Sequence, residues 1–393
     1  MASLEPNDED RIVELIVRDA SASAGDADAD AVAVSEDFGP LLTQPERPRI
    51  NIFSISYPRR KYRDEVTRLL ESEPSPLTHF MLRVWSESRY SSLLCMVLSS
   101  ATYFLMEVLS YFFSVQGIPL FEAAFTRCTV MLVLSYIWLR RGEQPLFATS
   151  HVRNILISRA LVGCFSLSSF VYCVQRLPFS QAIVLNLTTP IMASIIARIF
   201  LHEKLKIADI SGLACSFFGV LFIFHEMLAT QGQLVKAEEQ RDANYKGSHL
   251  FAVLLGLVSS ITGGASYCLI RAGAKASDQP LVTVLTFSML ASPVMAICTF
   301  FFEDFVLPGF QSIILMLVLS VLAFFAEVLL ARGLQLERIG KIVNLLYLEV
   351  ELSQLWRLAF SRAAPSFSQV IGLLLVIVSA CCTLYLGPDK ELE

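Results

Sequence analysis

Glu349 and Glu351 lie two residues apart in IVNLLYLEVELSQLWRLAF, a stretch from Ile342 to Phe360 that is otherwise apolar enough for lipid. The same stretch carries Asn344, Tyr347, Gln354 and Arg357. A carboxylate near the centre of a bilayer costs about 2.5–3.5 kcal/mol even on the lenient insertion scale. Intramembrane acids therefore sit where a bundle supplies partners or a wet cavity. Three more charges fall inside apolar blocks: Glu107, Arg127 and Glu327. Such a set can exchange protons or recognise a charged solute. A carboxyl moved between environments of different polarity exchanges its proton, so alternate exposure of Glu107, Glu327 or Glu349 would couple proton flow to solute movement. The same acids would serve equally as counter-charges for a cationic solute. Arg127 cannot lose its proton. It is a counter-ion for a buried acid, an anion-binding group or, a turn or two inside its segment, a snorkelling side chain.

The element that must position these groups is a helix. At helical spacing Asn344, Tyr347, Glu351 and Gln354 share one face, while Glu349 points elsewhere, nearer Leu345, Ser353 and Trp356. One polar face lines a cavity and the other locks against a neighbouring helix. Glu349 lies closest to the centre of the stretch, which favours it as the cavity acid; the alternative is a structural ion or hydrogen-bond pair. Asn186 and Pro190 stand together in another apolar segment, where the proline removes a backbone donor beside Thr188 and Thr189. Gly263 and Gly264, among Ser259, Ser260, Thr262 and Ser266, permit close helix approach or a local break. Pro190, Gly263 and Gly264 are thus the candidates for a break or gate.

The composition, 54% hydrophobic and 17% charged, departs from the roughly 25% charge of a soluble chain. The apolar residues fall in blocks of about twenty, the length that crosses a bilayer core. An all-α integral membrane protein is the expected class. Ten spans fit: 91–113, 121–139, 154–174, 180–200, 207–227, 249–270, 281–301, 311–331, 341–360 and 366–386. Residues 1–88 form an acidic tail with too little apolar content to fold alone. Within it, Asp37–Leu42 has the spacing of an acidic dileucine sorting signal or is plain linker, and Tyr57–Arg63 is basic enough to rest on an anionic leaflet. A polar connector, 228–248, separates the five-span units 89–227 and 249–386, and 387–393 is a short C-terminus. Lys and Arg flank alternate spans, as with Arg140, Arg141, Arg153, Lys204, Lys206, Arg271, Lys275, Arg332, Arg338 and Lys341. This bias places both termini in the cytosol. It leaves plasma membrane, vacuole or another endomembrane open as the compartment.

The two halves repeat. Placing Asn186 over Asn344 aligns span four with span nine, each after a short Leu-rich turn and before an apolar helix with an early glycine, Gly212 or Gly372. Five spans is an odd number, so successive copies enter the bilayer from opposite sides, the inverted repeat of alternating-access carriers. No GxGxxG, Walker-type loop or nucleophile triad is present, which leaves no case for an enzyme or for ATP-driven pumping. The cysteines form no CxxC pair, and no metal or cofactor is expected. Nothing has the basic, aromatic-interleaved character of a nucleic-acid surface.

The stretch VGCFSLSSFVYCVQRLPFSQAIVLNLTTPIMASIIARIFLHEKLKIADISGLACSFFGVLFIF resembles the first EamA-type unit of the drug/metabolite transporter superfamily. The likeness is carried by Arg159 early in span three, the turn ending in Leu177-Pro178, the Asn186…Pro190 helix and LHEKL at 201–205. GLQLERIGKIVNLLYLEVELSQLW keeps the corresponding turn before span nine. Within the superfamily the chain is similar to the G branch of solute carrier family 35 and its plant relatives. The resemblance spans roughly residues 90 to 386. It implies ten helices in two inverted five-helix repeats and a central cavity bordered by helices one, three, four, six, eight and nine. It also implies alternating access without nucleotide hydrolysis, and it puts Glu349 where similar carriers place an acid. Leu348 opposite Pro190 and the extra Glu351 depart from the first-unit pattern. The function expected is secondary transport of small organic metabolites, with protons as a candidate coupling ion and lipid as the surroundings, by a monomer or homodimer. Two alternatives stay open: a nucleotide-sugar or phosphorylated-solute exchanger, which would need basic groups such as Arg127 and Arg159 to converge, and a non-transporting membrane scaffold.

Overall fold

Apolar blocks of this length satisfy their backbone polar groups in lipid only by winding into helices, and helices they form. The computed structural model describes residues 90–112, 119–141, 150–203, 206–241, 243–277, 279–303, 309–360 and 366–386. The acidic tail, with its dileucine-like and basic segments, and the C-terminal 387–393 lie outside the described residues. Spans one to three are α1 (Ser91–Phe112), α2 (Leu120–Arg141) and α3 (Ser150–Arg176). Span four is split into α4 (Phe179–Asn186) and α5 (Thr189–Phe200). Spans five to eight are α6 (Ile207–Arg241), α7 (Ala243–Ser277), α8 (Pro280–Phe302) and α9 (Phe310–Leu336). Span ten is α12 (Phe367–Leu386).

Span nine differs from expectation. It is not one helix over 341–360 but α10 (Ile339–Ile342), a 3₁₀ stretch (Val343–Tyr347) and α11 (Leu348–Phe360). Among the described residues nine helices are long and apolar enough to cross a membrane, and the interrupted span nine is not one of them. Span six also departs from expectation. α7 runs unbroken through Gly263 and Gly264, so the break considered there is absent. The glycines instead let span six lie against span four: a Cβ on Gly264 would come within 2.6 Å of the Ala193 backbone nitrogen. The stretch between spans five and six is largely helical as well, since α6 extends to Arg241 and α7 starts at Ala243.

The packing has a symmetry that the chain order predicts. Span three packs on six and one on eight; four packs on six and nine on one; three packs on seven and two on eight. Each of these pairs becomes its companion when spans one to five are exchanged for six to ten. Two more large contacts, two on seven and five on ten, map onto themselves, whereas six on eight has no counterpart of similar extent in one on three among the described residues. This is a repeat architecture. Spans five and ten meet at glycines, where a Cβ on Gly219 would stand 2.8 Å from the Gly372 carbonyl oxygen. Gly212 is not the counterpart of Gly372 in this crossing; it faces Asn344 and Ser379.

The tightest packing gathers at one end of the bundle. Met96, Ala197, Ile270, Leu334, Ile339, Ile342 and Leu345 are buried together there. Beside them lies a second cluster of Leu139, Leu156, Leu281, Leu285 and Phe324. Outward-facing Ile199, Phe200, Phe300, Phe301 and Leu374 are exposed, as lipid-facing residues of a bundle would be.

Candidate functional site

Two interrupted helices frame the site. At Pro190 the backbone donor is missing, and the chain makes a short turn at Leu187-Thr188 between α4 and α5. The carbonyls freed by this turn are taken up by side chains. Tyr347 Oη, from the 3₁₀ stretch of span nine, donates to the Leu187 carbonyl at 2.8 Å. The Leu185 carbonyl accepts from Thr188 Oγ1 at 2.7 Å and from Ser260 Oγ of span six. In span nine the Leu345 carbonyl accepts from Ser100 Oγ of span one at 2.9 Å. A serine from each half thus tends the interruption in the other. Asn344 Nδ2 donates to Ser379 Oγ at 2.7 Å and to Thr383 Oγ1 at 2.9 Å, tying span nine to span ten.

Beyond the 3₁₀ stretch, α11 brings Glu349 toward the charged residues of spans one and two, where Glu107 and Arg127 are the charges acting on it. One turn later Ser353 Oγ donates to Glu107 Oε2. Arg127 Nη2 donates to Glu327 Oε1 at 3.4 Å and lies 5.9 Å from the centre of the Tyr103 ring. Tyr103 and Tyr267 both fall within the electrostatic reach of Glu327 and Glu349. Spans one, two, six, eight and nine therefore deliver Tyr103, Glu107, Arg127, Tyr267, Glu327 and Glu349 to one place.

These groups are surrounded by protein yet keep some access. Glu107 is exposed and Glu349, Tyr103 and Tyr267 are partly so. Arg127 and Glu327 keep 31% and 16% of their side chains accessible. Access falls toward Arg159, which is 4% exposed. Its guanidinium lies 4.4 Å from the centre of the Phe287 ring and crowds Gly163, where a Cβ would collide with Nη1. Arg159 is one turn beyond Leu156, and Leu156 packs against Gly273 at the tightly packed end. Taking that packed end as the floor of the cluster, Arg159 lies toward it and Glu107 toward the rim.

Other sequence candidates are placed elsewhere. Asn186 is exposed, and Asn344 is spent on span ten. Tyr347 is fully buried against span four, and Gln354 is buried. Glu351 is only 1% exposed, with no hydrogen-bond partner for either oxygen among the described residues and no charge acting on it. Pro190 sits at the turn that starts α5. Tyr103 and Tyr267 were missed by sequence reasoning. The available signal was helical spacing, since Tyr103 precedes Glu107 by four residues on span one.

Below the floor, Glu203 and Arg271 form a buried ion pair, Oε1 to Nε 2.6 Å. Glu203 Oε2 accepts from the Ile339 backbone nitrogen at 2.9 Å, and Arg271 Nη1 donates to the Leu334 carbonyl at 2.8 Å. The pair joins the end of span four to the ends of six and eight and the start of nine. Burial raises the affinity of the nearby Glu337 carboxyl for its proton, an effect that Lys341 and Arg338 oppose.

Residues 90–225 match the model of the EamA-like transporter family. Solute carrier family 35 member G1 of Mus musculus is 23% identical over 70% of this chain and 74% of its own. Over residues 90–225 the chain carries an EamA-type unit of the drug/metabolite transporter superfamily. A probable transport protein of Saccharomyces cerevisiae is 23% identical over 61% of this chain and 69% of its own. A crystal structure superposes with a TM-score of 0.62 at 16% identity, covering 78% of this chain and all of that one, which shows the fold. The molecule is a multi-pass membrane protein with the general transport function typical of the drug/metabolite transporter superfamily. Among the described residues no three His, Cys, Asp or Glu are grouped to hold a metal.

Proposed function

We propose that this chain is a secondary carrier of small organic metabolites that works by alternating access. Its units, 89–227 and 249–386, are two inverted five-helix repeats making ten crossings, with spans four and nine as the discontinuous pair. The Lys and Arg bias puts both termini in the cytosol. The observation that carries this reading is the cluster of Glu107, Arg127, Glu327 and Glu349 contributed by both halves, read here as the lining of a recess open at one end. A carrier needs a mid-membrane site shut from one side. The Glu203–Arg271 pair and the clusters around it supply the shut side.

In this mechanism Glu349 is the group that exchanges a proton or meets the solute. Arg127, held by Glu327, sets the field around it. A phosphorylated-solute exchanger is a weaker fit, because Arg127 is already engaged with Glu327 and cannot join a second cation on a dianion. The test is uptake into liposomes holding the purified full chain, with a panel of small metabolites and with or without a pH gradient. Wild-type uptake is expected to respond to the gradient, and Glu349→Gln to lose at least tenfold of the rate while still assembling. Unchanged uptake by the variant would move Glu349 to a structural role. Absence of uptake for every solute would count against the carrier reading itself.

A further inference from the structure

The cluster contains two arginines, and they are treated differently. Arg127 has Glu327 at 3.4 Å. Arg159, more deeply buried, has no carboxylate within ion-pair distance among the described residues, and neither Nε nor Nη1 has a hydrogen-bond partner. The Phe287 ring face lies against its guanidinium, 4.4 Å from the ring centre. An arginine keeps its charge at any accessible pH, and a buried charge without a partner is among the costliest features a fold can carry. A cation–π contact offsets only about 2 kcal/mol of that. The fold nonetheless makes room for the guanidinium: position 163 is glycine, and any larger residue would displace Nη1. The polar groups that act on Arg159 are Glu327, Tyr267, Cys164 and Tyr103, three of them members of the charged cluster.

We infer that Arg159 is the binding group for an anionic solute, specifically one bearing a carboxylate, which supplies the counter-charge the protein omits. This rests on the carrier reading above, since it names the chemical class that the same recess takes. One planar guanidinium matches one carboxylate through two parallel hydrogen bonds. A phosphate dianion would call for a second free cation, and Arg127 is held by Glu327. The acids at the rim do not oppose this assignment. Glu107 is hydrogen-bonded by Ser353, and Glu327 is paired with Arg127. A carboxylate on the floor would leave the uncharged part of the solute between Tyr103 and Tyr267.

The test uses matched triplets that differ in charge alone: benzoate, benzamide and benzylammonium, and propionate, propionamide and propylammonium. Two readouts are taken on the purified full chain: the shift in melting temperature in detergent, and counterflow in proteoliposomes. The carboxylates are expected to raise the melting temperature of the wild type and to drive counterflow, and their neutral and cationic partners to do neither. Arg159→Gln should abolish the carboxylate shift and raise the apparent Kd at least tenfold, and Arg159→Lys should retain part of it. Because Arg159→Gln removes an uncompensated charge, its own melting temperature without solute should equal or exceed wild type, which separates lost binding from lost folding. Stabilisation by the amides or amines equal to that of the acids, no stabilisation by any acid, or an undiminished shift in Arg159→Gln would overturn the assignment. If the acids stabilise through Arg159 but nothing is moved across the membrane, the anion site stands and the carrier reading fails.

Discussion

Arg127 and Glu327 stand 3.4 Å apart with 31% and 16% of their side chains accessible, so the pair is neither screened like a surface bridge nor fully desolvated. Breaking a buried pair by removing one partner costs about 3–5 kcal/mol, and partial access should reduce that here to about 1–2 kcal/mol. Arg127→Met is therefore expected to lower the melting temperature, and the double variant Arg127→Met/Glu327→Leu to recover most of the loss; melting curves of the three proteins in one detergent measure it. If the double variant is no better than the single, the arginine is held by something other than Glu327. At this scale the sequence was informative where a charge was out of place. Glu107, Arg127, Glu327 and Glu349 announce themselves in apolar blocks. Tyr103 and Tyr267 do not, because a tyrosine in a membrane helix needs no special explanation. By sequence alone the face shared by Asn344, Tyr347, Glu351 and Gln354 could lock against a neighbour or line a cavity; in the structure these four side chains are buried, Asn344 against span ten and Tyr347 against span four. A 3₁₀ turn advances about 120° per residue against about 100° in an α-helix, so five such residues rotate the rest of span nine by about 100°.

The two interruptions differ in how they are written into the chain. Pro190 signals the one in span four. VNLLY in span nine contains neither Pro nor Gly, and its 3₁₀ form is stabilised from outside by Ser100, Ser379, Thr383 and the Leu187 carbonyl. No local pattern could have disclosed it. Gly263 and Gly264 show the converse, a sequence signal with two meanings. Glycine loosens a helix or lets another backbone approach, and only the neighbouring helix decides between them. The approach leads to a contrast. Gly264→Ala should cost about 1–3 kcal/mol, the usual scale of overpacking, because its Cβ would meet the Met192 and Ala193 backbone. Gly232→Ala, with open space around it in α6, should gain up to about 1 kcal/mol from helix propensity. Melting temperatures that move alike in the two variants would show that the close approach of spans four and six is not required.

For the whole molecule, hydropathy and the odd span count gave the architecture in outline, and the exchange symmetry of the packing supports a duplicated design. What they could not give was which end is shut, because that depends on Glu203, in a turn after span four, reaching Arg271 on span six. Arg271→Ala is expected to destabilise the shut end and to expose a cysteine introduced at Ala274 to a water-soluble maleimide, with labelling rising at least severalfold over the same cysteine in the wild-type background. Reversing the charges, Glu203→Arg with Arg271→Glu, should restore attraction but leave the Ile339 backbone nitrogen without its acceptor, so rescue should be partial. Equal labelling in all backgrounds would show that the ion pair does not hold that end closed. The closure at Arg159's side of the bundle also has a pharmacological corollary. On the proposed carrier reading, water meets the ionisable groups from a single bath, so a blocker too polar to diffuse through lipid has one productive side. Vesicles oriented uniformly would be silenced by it from that side and indifferent to it from the other.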